Sequence, residues 1–117
     1  MADMTTTNHP DLNGLAAGDF PRRFMTVTVE AGQVQPAGAA LGAVSASSEY
    51  KLAAAAAGDG SETPSVVLWD EVDASAGAVQ AEVLIAGDVR ASQLTLGEGI
   101  TVAAAREALR KVSVFVR

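Results

Sequence analysis

The chain has 117 residues, 49% of them apolar, yet 24 are alanine and only Phe20, Phe24, Tyr50, Trp69 and Phe115 are aromatic. That composition excludes a large enzyme or a multidomain chain, and its thin core argues for completion by a partner subunit. Eight basic against fourteen acidic residues leave a net charge of −6, the wrong sign for nucleic-acid binding, and the absence of cysteine excludes disulfides, cysteine-ligated zinc and thiol catalysis.

Residues 1–13 hold three consecutive threonines, Asn8, His9, Pro10 and Asp11, with no period of 2 or 3.6. Such a segment cannot bury enough surface to offset its ordering entropy and reads as a flexible arm. No Lys or Arg and no apolar run of seven occurs in the first 21 residues, so no secretory signal is expected. The longest apolar run, 52–57, falls far short of the ~20 residues that cross a bilayer. A soluble protein made in the cytoplasm, with no membrane partner, is expected. Leu15 and Phe20 stand out as apolar anchors just before Pro21, Arg22 and Arg23. That stretch reads either as a linker folded back on the body or as a docking peptide. The boundary is set at 23, giving an arm over 1–23 and a β-rich body over 24–117.

From Phe24 the signals are those of strands. Met25, Val27 and Val29 alternate with Thr26, Thr28 and Glu30, and Ala31-Gly32 closes that strand. Pro36-Ala37-Gly38 predicts a turn, 39–46 a strand interrupted at Gly42, and Ser47-Ser48 a bend. In 49–52, Tyr50 and Leu52 share a face, and the alanines of 53–57 predict a strand end or loop packed closely on a neighbour. A dense turn cluster at 58–64 precedes a buried strand over 65–69. A further strand over 79–86 places Val79, Ala81, Val83 and Ile85 together, and Gly87-Asp88 predicts a turn between two paired strands. One helix follows, capped by Thr101, with Val102, Ala105, Leu109 and Val112 as its apolar stripe and Glu107 four residues before Lys111. A strand pattern at 112–116 ends the chain. The expected fold is mainly β with one short C-terminal helix.

No constellation supports catalysis. His9 is the sole histidine and has no partner to orient it. Asp70 and Glu71 point to opposite faces of a strand, so with Asp73 they read as a solvated turn rather than a metal site. Residues 58–61 lack P-loop or EF-hand spacing, Ser61 has no base, and Trp69 reads as packing. No cofactor or metal is expected, and the chain is read as a non-enzyme.

Five stretches together carry a resemblance. They are Leu15-Ala16-Ala17-Gly18-Asp19-Phe20-Pro21; Ala31-Gly32-Gln33 with Gly38, Leu41-Gly42 and Val44; Tyr50-Lys51-Leu52 leading to Asp59-Gly60-Ser61-Glu62-Thr63-Pro64; Val72-Asp73-Ala74 before the 79–87 strand; and the helix ending in Val114-Phe115-Val116. In order and spacing they resemble the head decoration proteins of tailed bacteriophages, from about Leu15 to Arg117. The resemblance implies a β-clip or β-tulip-like domain with an N-terminal arm that is disordered until it docks. It also implies a homotrimer on the virion's outer surface, cementing the major capsid protein at local three-fold positions of the expanded head. The arm residues Leu15, Phe20, Pro21, Arg22 and Arg23 are then the expected capsid contacts. Competing readings are a small β-rich protein- or peptide-binding module and, less well supported, a trimeric dUTPase-like enzyme.

Overall fold

A computed structural model describes residues 22–117. Eight strands and one helix follow one another: β1 (Arg23–Val29), β2 (Val34–Gln35), β3 (Ala40–Ala43), β4 (Tyr50–Leu52), β5 (Val66–Leu68), β6 (Val72–Asp73), β7 (Val79–Val89), α1 (Val102–Arg110) and β8 (Val114–Val116). The mainly β fold with one short C-terminal helix is what the periodicities predict.

Five of the strands close on themselves. β1 pairs with β4 in parallel at Val29 and Tyr50, β4 with β3, β3 with β5, and β5 with β7, the last three antiparallel. β7 then returns to β1 along almost the whole of β1, from Val29↔Val79 to Arg23↔Ala86, which shuts the barrel. β2 and β6 form a separate small ribbon.

Strand alternation divides the apolar residues between two cores. Val27, Val29, Leu41, Val66, Leu68 and Val83 point into the barrel, where Val79, Ala81 and Ile85 join them as the alternation in 79–86 predicts. Val67 and Leu84 point outward from the same strands. With Trp69 they meet Val89, Leu109, Val114 and Val116, so α1 and β8 form a layer over one side of the barrel. A fully buried Leu or Val is worth roughly 1.5–3 kcal/mol, so each of these few large side chains carries a substantial share of the fold.

Elsewhere close backbone approach replaces side-chain bulk. The alanines after β4 form a loop, as expected, with Ala53 N–H bonded to Ala40 C=O and Ala55 N–H to Glu98 C=O. A Cβ at Gly97 would overlap the Ala53 carbonyl, and one at Gly42 would lie 2.8 Å from the Thr63 carbonyl oxygen as well as against that of Ser61.

Two sequence expectations are corrected here. Gly87-Asp88 is not a turn: β7 runs through it, with Gly87 at φ 141°, and changes partner from β1 to β8, which pairs in parallel from Gly87↔Val114 to Val89↔Val116. The helix stripe is buried only at Ala105 and Leu109, whereas Val102 and Val112 remain 38% and 40% exposed. Val102 is the first residue of the nine-residue helix, and Val112 lies beyond its last residue, past the Lys111 cap. The Thr101 cap is as predicted, its hydroxyl accepting from Ala104 N–H at 3.1 Å. Among the described residues no helix is long and apolar enough to cross a membrane.

Candidate functional site

Of the five expected contact residues, Leu15, Phe20 and Pro21 lie outside the described residues, as does His9. Arg22 and Arg23 lie within them, and both are tied to the body. Arg23 is the first residue of β1, paired with Ala86, and a register shift separates it from Phe24↔Leu84. The strand therefore begins one residue before the boundary drawn from composition. Arg22 places its guanidinium 5.6 Å from the Trp69 ring centroid, and Trp69 in turn meets Phe24 edge-on at 5.0 Å. Such a cation–π contact is worth roughly 0.5–2 kcal/mol, depending on desolvation. Gly87 makes room for it, since a Cβ there would sit 3.2 Å from Arg22 Cγ. One Arg22 nitrogen, Nη1, is buried without a hydrogen-bond partner. The chain thus enters the body at a fixed point, where β1, Trp69 and the crossing segment of β7 meet.

Most of the remaining positive charge follows β7 in the chain. Arg90 follows β7 directly. Arg106 and Arg110 lie one turn apart on α1, Lys111 follows it, and Arg117 follows β8. Arg106 Nε donates to the Val116 carbonyl at 3.2 Å, joining the helix to β8. Arg110 pairs with Glu107 at 2.7 Å, across three residues, in place of the predicted Glu107–Lys111 pair. Asp88 is only 4% exposed, and its Oδ2 accepts from Arg117 Nε at 2.6 Å while Oδ1 stays buried and unpartnered. Leaving a buried acceptor unmet costs about 1–3 kcal/mol, so Asp88 holds the β7–β8 junction at some expense.

At the barrel, the residues considered for chemistry serve the fold. Ser61 is fully buried, and its hydroxyl and N–H both donate to Asp59 Oδ1, at 2.5 and 3.0 Å. Lys51 Nζ lies 2.8 Å from Asp59 Oδ2. The Lys51 hydrogen bond, with those from Ser61, holds the Asp59 carboxyl well below the usual carboxylate range, and the same contact raises Lys51. This triplet latches the turn cluster onto β4, and the Ser61 hydroxyl donates to a carboxylate that the same contacts make less basic. Asp73 accepts from Ser75 N–H and hydroxyl at 3.0 and 2.6 Å, an Asx-type turn that also lowers its carboxyl. Among the described residues no three His, Cys, Asp or Glu side chains group around a potential metal position. Trp69 is buried packing, as expected, with an added role under Arg22 that its position 47 residues further along the chain concealed.

In comparisons with known proteins, a family model described as bacteriophage lambda head decoration protein D matches residues 5–115. No curated protein matches the chain.

Proposed function

Because the chain belongs to the bacteriophage lambda head decoration protein D family, we propose that it binds the outer surface of the expanded head as a homotrimer at local three-fold positions. It contacts the major capsid protein and stabilises the shell, and it is assembled onto the virion in the host cytoplasm. The family match over almost the whole chain carries this reading. The family is structural, and the decoration role needs no catalytic group.

Residues 1–23 are the proposed docking arm, with Leu15, Phe20, Pro21, Arg22 and Arg23 as its contact residues. A Thr-rich segment is suited by composition to adding a strand to an exposed sheet edge. The anchoring of Arg22 on Trp69 and of Arg23 in β1 supports the arm's role, because tension on a docked arm reaches the barrel directly. Each arm alone makes a small contact and binds weakly. Three arms on one rigid trimer raise avidity by about 10²–10⁴-fold. Binding the assembled lattice and not its free subunits then stabilises the lattice by mass action.

The test is co-sedimentation with expanded, undecorated heads, with molar mass followed by light scattering. The wild type is expected as a trimer that binds. Removal of 1–21 leaves β1 whole and should keep the trimer while abolishing binding. Phe20→Ala should weaken binding without changing the melting of the free protein. A monomer, or undiminished binding after removal of the arm, refutes the mechanism.

A further inference from the structure

The charges of the described residues are sorted by region. Residues 24–86, the barrel and its ribbon, carry eight acidic residues and only Lys51, which is already bound to Asp59. Residues 87–117 together with Arg22 and Arg23 carry seven basic and three acidic residues. A protein of net charge −6 therefore has one part near −7 and another near +4.

Within the positive part, compensation is incomplete. Two of its acids are paired, Asp88 with Arg117 and Glu107 with Arg110. Arg23, Arg106 and Lys111 are exposed and make no ion pair with a described residue. Arg106 gives its Nε to a neutral carbonyl and keeps its charge. Arg106 and Arg110 stand at i and i+4 on one helix face, where like charges destabilise a helix by a few tenths of a kcal/mol (~0.2–0.5). Charge held in this way against local stability is suited to an anion from outside the chain.

Position adds to charge. Arg22, the first described residue, lies beside Gly87, where β7 begins its pairing with β8. Resting on the proposed reading that residues 1–23 dock, we infer that the α1–β8 layer is a second docking surface, which meets an acidic protein surface on the capsid shell. The arm supplies the tether, and the basic face sets the orientation of the body and steers its approach. Nucleic acid fits less well. A duplex binder typically neutralises about 6–10 phosphates, and the positive part has three uncompensated cations attached to a strongly acidic barrel.

The test uses the full chain and undecorated heads over a range of salt. Arg106→Gln/Lys111→Gln should bind about tenfold more weakly than wild type at low ionic strength. The gap should close near ~1 M salt, where the screening length falls to ~3 Å. Arg106→Lys keeps the charge and should bind as wild type. Heads whose surface carboxylates have been converted to amides should lose the salt-sensitive part of wild-type binding. Leu15→Ala/Phe20→Ala, in parallel, reports on the arm alone. If the arm variant fails to bind while the charge variant binds as wild type at every salt, the basic-face inference is wrong and the decoration reading stands. If the arm variant binds normally, the reading beneath it falls. A charge variant that loses its trimer by light scattering would make this an intersubunit face. Retardation of duplex DNA by wild type but not by the variant would make it a nucleic-acid face. Either result overturns the inference.

Discussion

Every strand of the barrel has a partner on both sides, whereas β8 has β7 alone and offers its other edge, at Val116, to the Arg106 side chain. The barrel is closed by backbone pairing and by loops that touch through glycine and alanine, at Gly42 on Ser61 and Gly97 on Ala53. The α1–β8 layer depends instead on a few large side chains, Leu109, Val114 and Val116 against Val67, Trp69 and Leu84. A chain rich in alanine and poor in aromatics can hold a barrel if its loops interlock closely. It can then spend its large residues on a single outer layer. The two regions should accordingly fail in opposite ways: the barrel when atoms are added, the layer when atoms are removed.

The largest effect is expected at Gly97. Gly97→Ala drives a methyl into the Ala53 carbonyl, a backbone atom that cannot turn aside, and should cost ~3 kcal/mol or more in chemical denaturation. Gly32→Ala is the matched control: nothing lies within 4 Å of a Cβ there, and only its φ of +93° opposes the change. That substitution should cost about 1–2 kcal/mol. Equal losses at both sites would show that backbone conformation, and not loop interlock, governs the barrel.

Leu109→Ala should follow, at about 2–5 kcal/mol, by opening a cavity beneath α1. Trp69 lies at the junction of the two regions and serves as the probe. Coincident loss of Trp69 fluorescence and of β-sheet circular dichroism would show that layer and barrel unfold together. An early fluorescence transition would show that the layer peels off first, which sharpens the contrast.

Acid should act on the barrel through its latch. The folded-state pKa of Asp59 is depressed, chiefly by the Lys51 hydrogen bond. Its contribution is therefore fully present above the unfolded value of about 3.9 and is lost as pH falls through the lower folded value. Wild type should lose stability on acidification below about pH 4. Asp59→Asn should be less stable than wild type at neutral pH and show a shallower acid slope. Parallel slopes in denaturation midpoints measured against pH would remove Asp59 as the cause.

The sequence made the local elements legible where one physical cause acted alone. The alternation of Met25, Val27 and Val29 marked β1, Thr101 marked the start of α1, and the alanines of 53–57 marked close packing. It failed where a distant partner decided the matter. Gly87 and Asp88 read as a turn because their types favour one, yet pairing with β8 carries β7 through them. Arg22 and Arg23, beside a proline in a tail-like stretch, read as arm, and their contacts with Trp69 and Ala86 left no local trace. Barrel closure rests on β1 meeting β7 fifty or more residues later and β4 in parallel at a single pair, neither of which leaves a local trace. The sorting of charge between the regions lay in the residue order, but it became a surface only once α1, β8 and the start of β1 were placed together.

The smallest expected effect falls at the turn between α1 and β8. Ser113 has φ 75°, a left-handed conformation just past a helix end that glycine usually takes. Its N–H still bonds the Arg110 carbonyl at 3.2 Å, so the turn is well made and only the side chain opposes it. Ser113→Gly removes that opposition but gives the unfolded chain more freedom, and the net gain should be only ~0.5 kcal/mol. On a domain of this size that raises Tm by about 2–4 °C, which calorimetry resolves. Ser113→Ala keeps the Cβ and removes only the hydroxyl, so it should gain nothing if backbone strain is the cause. A gain in Ala equal to that in Gly would locate the cost in the hydroxyl instead. No gain in either would mean that the layer, like the barrel, already tolerates its turns without strain.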